Sequence, residues 1–340
     1  MILITGGTGL VGSHLLYNLT SENKKVRATY RREKTLDRVK KVFSYYTDTP
    51  EQLFDRIEWV EADITDIPAL QIAFQNISQV YHCAAFVSFE PDKYSQLRKV
   101  NIEGTANVVN LCILNKIQKL CYVSSIAAIG NSTYSTTIIS EVSEWNPEYE
   151  NSVYAITKYG AEMEVWRGTQ EGVEAVVVNP GIILGPGYWK GGGSGSLIKK
   201  IDRGLTYYPT GSSGYIDVWD TVNIMEKLMD SRIKNERYIL VAQNLSFKSF
   251  QDKVALALKA PKAKKAASNF LLAIAWRLDW LNHKILGRRR TLSKQMAKSI
   301  NTESTFDNSK IIQALNYKFQ DLNESIEKVC QLYLKDKKEF

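Results

Sequence analysis

An apolar run, "MILIT", passes directly into "TGGTGLVGSHL", and no other stretch restricts the fold of this 340-residue chain so closely. A strand that must become a helix within a few residues needs positions without a Cβ. Gly7, Gly9 and Gly12 satisfy the pattern GxGxxG, while Gly6, Gly9 and Gly12 satisfy GxxGxxG. Glycines there allow a tight turn, a close approach of a pyrophosphate to the backbone and close packing of helix on sheet. They leave the helix N-terminus, with its free N–H groups, facing the anion. The expectation is a dinucleotide lying along Gly6, Thr8, Gly9, Leu10, Val11 and Gly12.

Further along, "KVRATY", "IEWVEAD", "QVYHCAA", "KLCYVSS" and "VEAVVVNP" are each followed by a longer segment of helical pattern. Repetition of strand and helix implies a parallel sheet covered on both faces. The pattern changes beyond Pro180, with the glycine-rich "GPGYWKGGGSGS", an isolated strand-like "YIDVWD", a further strand at "RYILV" and a helical C-terminal third. The expected fold class is α/β: a Rossmann-type doubly wound parallel sheet with a smaller, mainly helical C-terminal substrate domain. Residues 1–180 and 214–245 are assigned to the first unit and residues 181–213 and 246–340 to the second.

Composition, 44% hydrophobic and 24% charged, is that of a globular chain able to bury a large core. The start lacks the charged and apolar regions of a signal peptide, which points to the cytoplasm. Cys83, Cys112, Cys121 and Cys330 are widely spaced without a CxxC pair, so reduced thiols are expected. With three histidines no metal site is expected. Net charge is +8, but the basic residues fall in no nucleic-acid-binding motif, so no nucleic-acid partner is expected.

Binders of NAD usually place an acid at the end of the second strand to hold the ribose hydroxyls. Here the chain reads "VRATYRREK". Arg31 and Arg32 offer guanidinium groups that pair with a 2′-phosphate, so NADP is preferred to NAD.

With "EADIT", "HCAAFVSF", "NIEGTANVV", "YVSSIAAIG", "VYAITKYG" and "VNPGIILGPG" following in order, residues 2 to about 220 resemble the extended short-chain dehydrogenase/reductase superfamily, also called the NAD-dependent epimerase/dehydratase family. The C-terminal third more loosely resembles its dihydroflavonol-reductase-like and 3β-hydroxysteroid-dehydrogenase-like branch. The resemblance implies that Asp63 and Ile64 hold the adenine and that Ala84 and Ala85 lie along the cofactor. It also puts Asn101 at the helix behind the site, and Pro180 and Ile182 after the tyrosine helix. Ser125 is implied as catalytic, with Ser124 nearer the cofactor. It further implies a homodimer formed by the helices that follow Asn101 and Tyr154.

Tyr154 and Lys158 stand four residues apart on one helix face. A nearby ammonium and the cationic nicotinamide would favour the phenolate, lowering the tyrosine pKa. Ser125 would hold the substrate oxygen while Tyr154 exchanges the proton and Lys158 grips the ribose. His82 reads as a core histidine, and Glu103, Glu162 and Glu164 read as solvated carboxylates. The acid pair of the superfamily's dehydratases is replaced by Ile126 and Ala127, which removes elimination chemistry. The segment "SSGYIDVWD" carries no arginine for a sugar-nucleotide diphosphate, whereas Phe86, Val87, Phe89, Tyr188, Trp189, Tyr207 and Tyr208 suit an apolar ligand, with Phe86 and Tyr188 as its closest contacts.

Residues 269–290 carry apolar side chains at helical spacing. They are read as a core helix that also lids the site, in preference to a membrane-interfacial helix. The reading is an NADP-dependent oxidoreductase acting on a ketone or secondary alcohol of a mostly apolar molecule. The alternatives are a nucleotide-sugar epimerase and a non-catalytic dinucleotide sensor.

Overall fold

The computed structural model describes residues 1–130, 138–190, 193–287, 290 and 292–338. Part of the glycine-rich loop, residues 191–192, and Arg288 and Arg289 of the basic "GRRR" lie outside the described residues.

Strands β1 (Ile2–Thr5), β2 (Val26–Tyr30), β3 (Ile57–Glu61), β4 (Gln79–His82) and β5 (Lys119–Val123) combine with Ala175–Pro180 and Glu236–Leu240 in one seven-stranded sheet. Its order is Glu236–Leu240, Ala175–Pro180, β5, β4, β1, β2, β3, and every neighbouring pair is parallel. The chain runs outward from β1 to β3 and then returns to lay β4 on the other side of β1. That reversal opens a crevice at the carboxyl ends of β1 and β4, where open α/β sheets bind their ligands.

Both faces of the sheet are buried, which explains why its strands read as continuous apolar runs. Successive side chains point to opposite faces. Ile4, Tyr81, Cys121, Val176 and Val178 pack with Leu15, Leu16, Val222 and Met225 on one side. Leu3, Val80, Leu120, Tyr122 and Val177 pack with Leu70, Val108, Leu111 and Val165 on the other. The sequence-based expectation of a doubly wound parallel sheet is met.

"YIDVWD" is not an isolated strand. Tyr215, Ile216 and Asp217 end the strand Ser212–Asp217, which pairs parallel with Ile182–Leu184 and antiparallel with Gln243–Ser246 in a three-stranded sheet, while Val218, Trp219 and Asp220 open the helix Val218–Asp230. A small core of Leu184, Trp189, Ile198, Tyr215, Phe250, Val254 and Tyr333 packs there. Trp189, expected near the substrate, is 4% exposed in this core and donates from its indole nitrogen to Asp336 at 2.7 Å.

Residues 269–286 do form a helix, Asn269–Leu286, but Leu272 is its one fully buried side chain. The core-helix reading is therefore corrected. The apolar periodicity was real, yet much of it faces outward.

Candidate active site

The glycine turn closes β1 onto the helix Leu10–Ser21. Gly6 adopts φ +71°, the left-handed region that favours glycine, and a Cβ there would lie 2.6 Å from the Ala84 backbone nitrogen. A Cβ on Gly12 would lie 2.3 Å from the Gly6 carbonyl oxygen. Gly6, Gly9 and Gly12 are thus the glycines that shape the cradle. Gly9 caps the helix without a side chain over its N–H groups, leaving them open to an anion. A Cβ at Gly6 or Gly12 would strike the surrounding backbone and force the turn open, so the glycines preserve a cradle that fits a dinucleotide pyrophosphate.

Around it, Leu10 approaches Gly185, where an added Cβ would meet the Leu10 side chain, and Val11 is buried. Tyr188, expected at the substrate, commits its hydroxyl to the glycine turn, 2.8 Å from the Thr8 carbonyl and 3.2 Å from the Ser13 hydroxyl. Arg31 and Arg32 are exposed beyond β2, and Arg31 approaches Asp63 at 3.6 Å. Asp63 accepts from the Thr65 backbone and hydroxyl at 2.9 and 2.8 Å. Ile64 is buried against the position of Gly104. Ala84 and Ala85 follow β4, Pro180 ends its strand buried, and Ile182 is half-buried at the edge of the small core.

Asn101 is buried and clamps the loop after β4. Its side chain accepts from the Phe86 nitrogen at 2.7 Å and donates to the Phe86 carbonyl at 3.0 Å and to the Thr157 hydroxyl at 3.2 Å. Phe86 is thereby tied to the helix Val153–Gln170, which carries Tyr154 and Lys158. Nearby, the half-exposed Phe89 ring meets the Tyr154 ring with 5.3 Å between centroids. His82 is a fully buried core histidine between the hydroxyls of Thr5 and Thr105, at 2.6 and 3.0 Å, and burial lowers its pKa to about 3.

Ser125 follows β5 and its hydroxyl accepts from the Ala127 nitrogen at 3.1 Å. Its side chain is also a hydrogen-bond partner of Tyr154. Burial raises the Tyr154 pKa to about 12, opposed by the Ser125 hydrogen bond. Desolvation of the phenolate dominates in the chain by itself, which keeps Tyr154 a phenol at neutral pH; the expected lowering needs the cationic nicotinamide as well as the Lys158 ammonium. Lys158 is 1% exposed. It donates to the Tyr122 hydroxyl at 2.7 Å and the Val123 carbonyl at 2.9 Å, with its ammonium 4.4 Å from the Tyr122 ring centroid. Burial lowers its pKa to about 7, against an upward pull from Glu162. The folded chain therefore holds this proton more weakly than the unfolded one, and the destabilisation it causes is relieved as pH rises above about 7.

Glu162 is the residue the sequence reading missed. It has no exposed surface and lies on the same stripe of helix, four residues beyond Lys158. Its carboxylate accepts from the Ser124 hydroxyl at 2.6 Å, the Asn179 amide at 2.9 Å, the Arg237 guanidinium at 3.1 Å and the Trp166 indole at 3.3 Å. Asn179 also donates to the Ser125 carbonyl at 3.0 Å. Ser124, assigned to the cofactor side, thus turns its hydroxyl down to Glu162, while Ser125 faces Tyr154. Glu103 is exposed and pairs with Arg98, and Glu164 pairs with Arg167 at 2.9 Å, as expected of surface carboxylates.

A groove of about 680 Å³ lined by Asn18, Glu22, Asp220, Glu226, Asp230 and Tyr317, among others, contains none of the catalytic candidates. It is polar and lies apart from the crevice, so the site is placed by the side-chain geometry above. Among the described residues no group of three His, Cys, Asp or Glu could hold a metal, and no helix is long and apolar enough to cross a membrane.

The model of the NAD dependent epimerase/dehydratase family matches residues 2–241, and the chain belongs to that family. It is an NAD(P)-dependent enzyme of the extended short-chain dehydrogenase/reductase type. It is 25% identical over 338 residues to a putative dihydroflavonol 4-reductase of Synechocystis sp., covering 95% of this chain and 91% of that one. To tetraketide alpha-pyrone reductase 2 of Arabidopsis thaliana it is 29% identical over 233 residues, 65% of this chain and 71% of the relative. The fold matches a UDP-glucose 4-epimerase of Thermotoga maritima, solved with UDP-glucose, at a TM-score of 0.76 and 18% identity, covering 98% of this chain and 99% of that one.

The buried carboxylate supplies a test. Glu162→Gln removes the charge that favours the Lys158 ammonium, so the alkaline fall of turnover should move to lower pH while the fold survives. A pH–rate profile with an unmoved alkaline limb would separate Glu162 from the lysine.

Proposed function

We propose that this enzyme is an NADPH-dependent reductase of ketones, or oxidant of secondary alcohols, on a mostly apolar small molecule. The observation that carries the reading is the buried Lys158 on the stripe of helix that bears Tyr154, its ammonium fixed by the Tyr122 hydroxyl at 2.7 Å and the Val123 carbonyl at 2.9 Å, with Ser125 the group that pulls the Tyr154 pKa down.

In this reading Gly6, Thr8, Gly9, Leu10, Val11 and Gly12 hold the pyrophosphate, Asp63 and Ile64 the adenine, and Arg31 and Arg32 a 2′-phosphate. Ala84, Ala85, Asn101, Pro180 and Ile182 complete the wall, with the Ser124 hydroxyl held beneath it by Glu162. The dinucleotide, when bound, supplies or accepts the hydride. Ser125 holds the substrate oxygen, and the Tyr154 phenol gives that oxygen its proton on reduction and takes it back on oxidation. Lys158 grips the ribose and stabilises the phenolate left behind. Phe89 offers apolar surface next to Tyr154, in keeping with a hydrophobic substrate. Residues 1–180 and 214–245 would form the cofactor unit, with the remainder shaping the substrate side.

Tyr154→Phe should leave NADPH affinity almost intact and lower turnover by roughly 10²- to 10⁴-fold, the range of general acid–base catalysis. Full turnover in that variant would remove Tyr154 from the chemistry.

Binding titrations should find NADPH at least about tenfold tighter than NADH, equivalent to about 1.4 kcal/mol. Arg31→Ala/Arg32→Ala should erase the difference, and equal affinities in the unaltered chain would refute the phosphate clamp.

The expected homodimer would form through the helices Gly104–Leu114 and Val153–Gln170, which pack side by side with Gly160 against Ile102 and Gly168 against Val109. Light scattering should give twice the chain mass at micromolar concentration, and a monomer mass would contradict the assembly.

A further inference from the structure

The helix Asn269–Leu286 presents an unusual exterior. Phe270 is 76% exposed, Leu278 55% and Ile285 69%, and Ile274 and Leu281 are exposed as well. At 3.6 residues per turn these five fall within one narrow stripe. The opposite face supplies Leu272 and Trp276 to a small core with Ala267, Ala297, Leu292 and Ile300. The helix is therefore docked by one side, with its apolar stripe directed away from the protein. Single exposed apolar residues are ordinary, but a continuous helical stripe marks an interaction surface.

Its borders indicate the partner. Arg277 and Lys284 are exposed along one edge of the stripe. The Arg277 guanidinium lies 4.6 Å from the Trp276 ring centroid and the Lys284 ammonium 5.1 Å from that of Trp280. Exposed Lys264 and Lys265 precede the helix, and the chain as a whole carries +8. Aliphatic and aromatic side chains on one face, with Arg277 and Lys284 along its edge and the exposed Trp280 beyond them, match the boundary between acyl chains and anionic headgroups. The helix is too short of apolar residues to span a bilayer, so it would lie in the plane of the interface.

We propose that Asn269–Leu286 docks the enzyme on an anionic bilayer surface. The place of the helix gives this a consequence for the site. It packs on the helix Lys294–Ser299, whose Lys294 and Lys298 each reach Glu150 at 3.1 Å, just before the helix that carries Tyr154. Docking sets the active-site end of the molecule against the membrane. The consequence rests on the reading of Tyr154 given above, whereas the docking itself does not.

The test is sedimentation of the full chain with vesicles of phosphatidylcholine alone and of phosphatidylcholine with about a third phosphatidylglycerol. The protein should pellet with the anionic vesicles and be released by high salt. Leu278→Glu/Ile285→Glu should lower the bound fraction at least about tenfold, because both carboxylates would enter the acyl boundary. Arg277→Gln/Lys284→Gln should reduce binding to the anionic vesicles selectively. NADPH binding should be unchanged in both variants, which reports an intact fold and keeps failure here separate from failure of the catalytic reading. Absence of pelleting, or pelleting indifferent to Leu278→Glu/Ile285→Glu, would overturn the proposal. So would a fall in assembly mass in that variant without any vesicle binding, which would make a second copy of the chain the occupant.

Discussion

The catalytic end of the molecule depends on one buried carboxylate. Glu162, with no exposed surface, would be costly without partners, because removal of an ion from water is repaid only by close charges and hydrogen bonds. Four donors meet it: the hydroxyl below Ser125, an amide of the next strand, an indole of its own helix and the guanidinium of Arg237 from the sheet edge. Through them β5, Ala175–Pro180, Glu236–Leu240 and the tyrosine helix are held in one register. Ser125 and Tyr154 consequently face each other, and Lys158 sits in a dry niche against Tyr122 and Val123.

The glycine turn, the parallel sheet and the tyrosine–lysine spacing were legible in the sequence because each rests on local geometry. A turn without Cβ atoms, apolar runs of strand length and an i, i+4 pair all write their constraint into a few adjacent letters. The choice between Ser124 and Ser125 came from the family pattern and not from local geometry: both lie beyond the end of β5, and the hydroxyl of Ser124, expected nearer the cofactor, is held by Glu162 at 2.6 Å. Glu162 was not legible. Four residues beyond a lysine, it has the form of an ordinary surface ion pair, and its burial is decided by Asn179, 17 residues away, and Arg237, 75 residues away. Burial of Tyr154 and Lys158 was hidden for a related reason: the nearby ammonium was visible in the sequence, but the loss of water around both groups was not.

The C-terminal third shows a different limit. The helical periodicity read over residues 269–290 corresponds to the helix Asn269–Leu286, yet a period does not say whether the apolar stripe faces the core or the exterior. Only one side chain of that helix is fully buried. Likewise Tyr188 and Trp189, adjacent in the sequence and both expected at the substrate, part company: one braces the glycine turn and the other fills the small core. Adjacency in an irregular loop carries no facing rule of the kind that strands and helices supply.

The central claim is that a buried Lys158, only weakly protonated before cofactor arrives, is the group that grips it as an ammonium. Calorimetry of NADPH binding in buffers of different ionisation heat measures the linked protons directly. With a lysine pKa near 7 in the free enzyme, binding at about pH 8.5 should take up close to a whole proton per site, and uptake should fall as pH is lowered through about 7 and be nearly gone by about pH 6. Binding at the higher pH without proton uptake would contradict this account of the site.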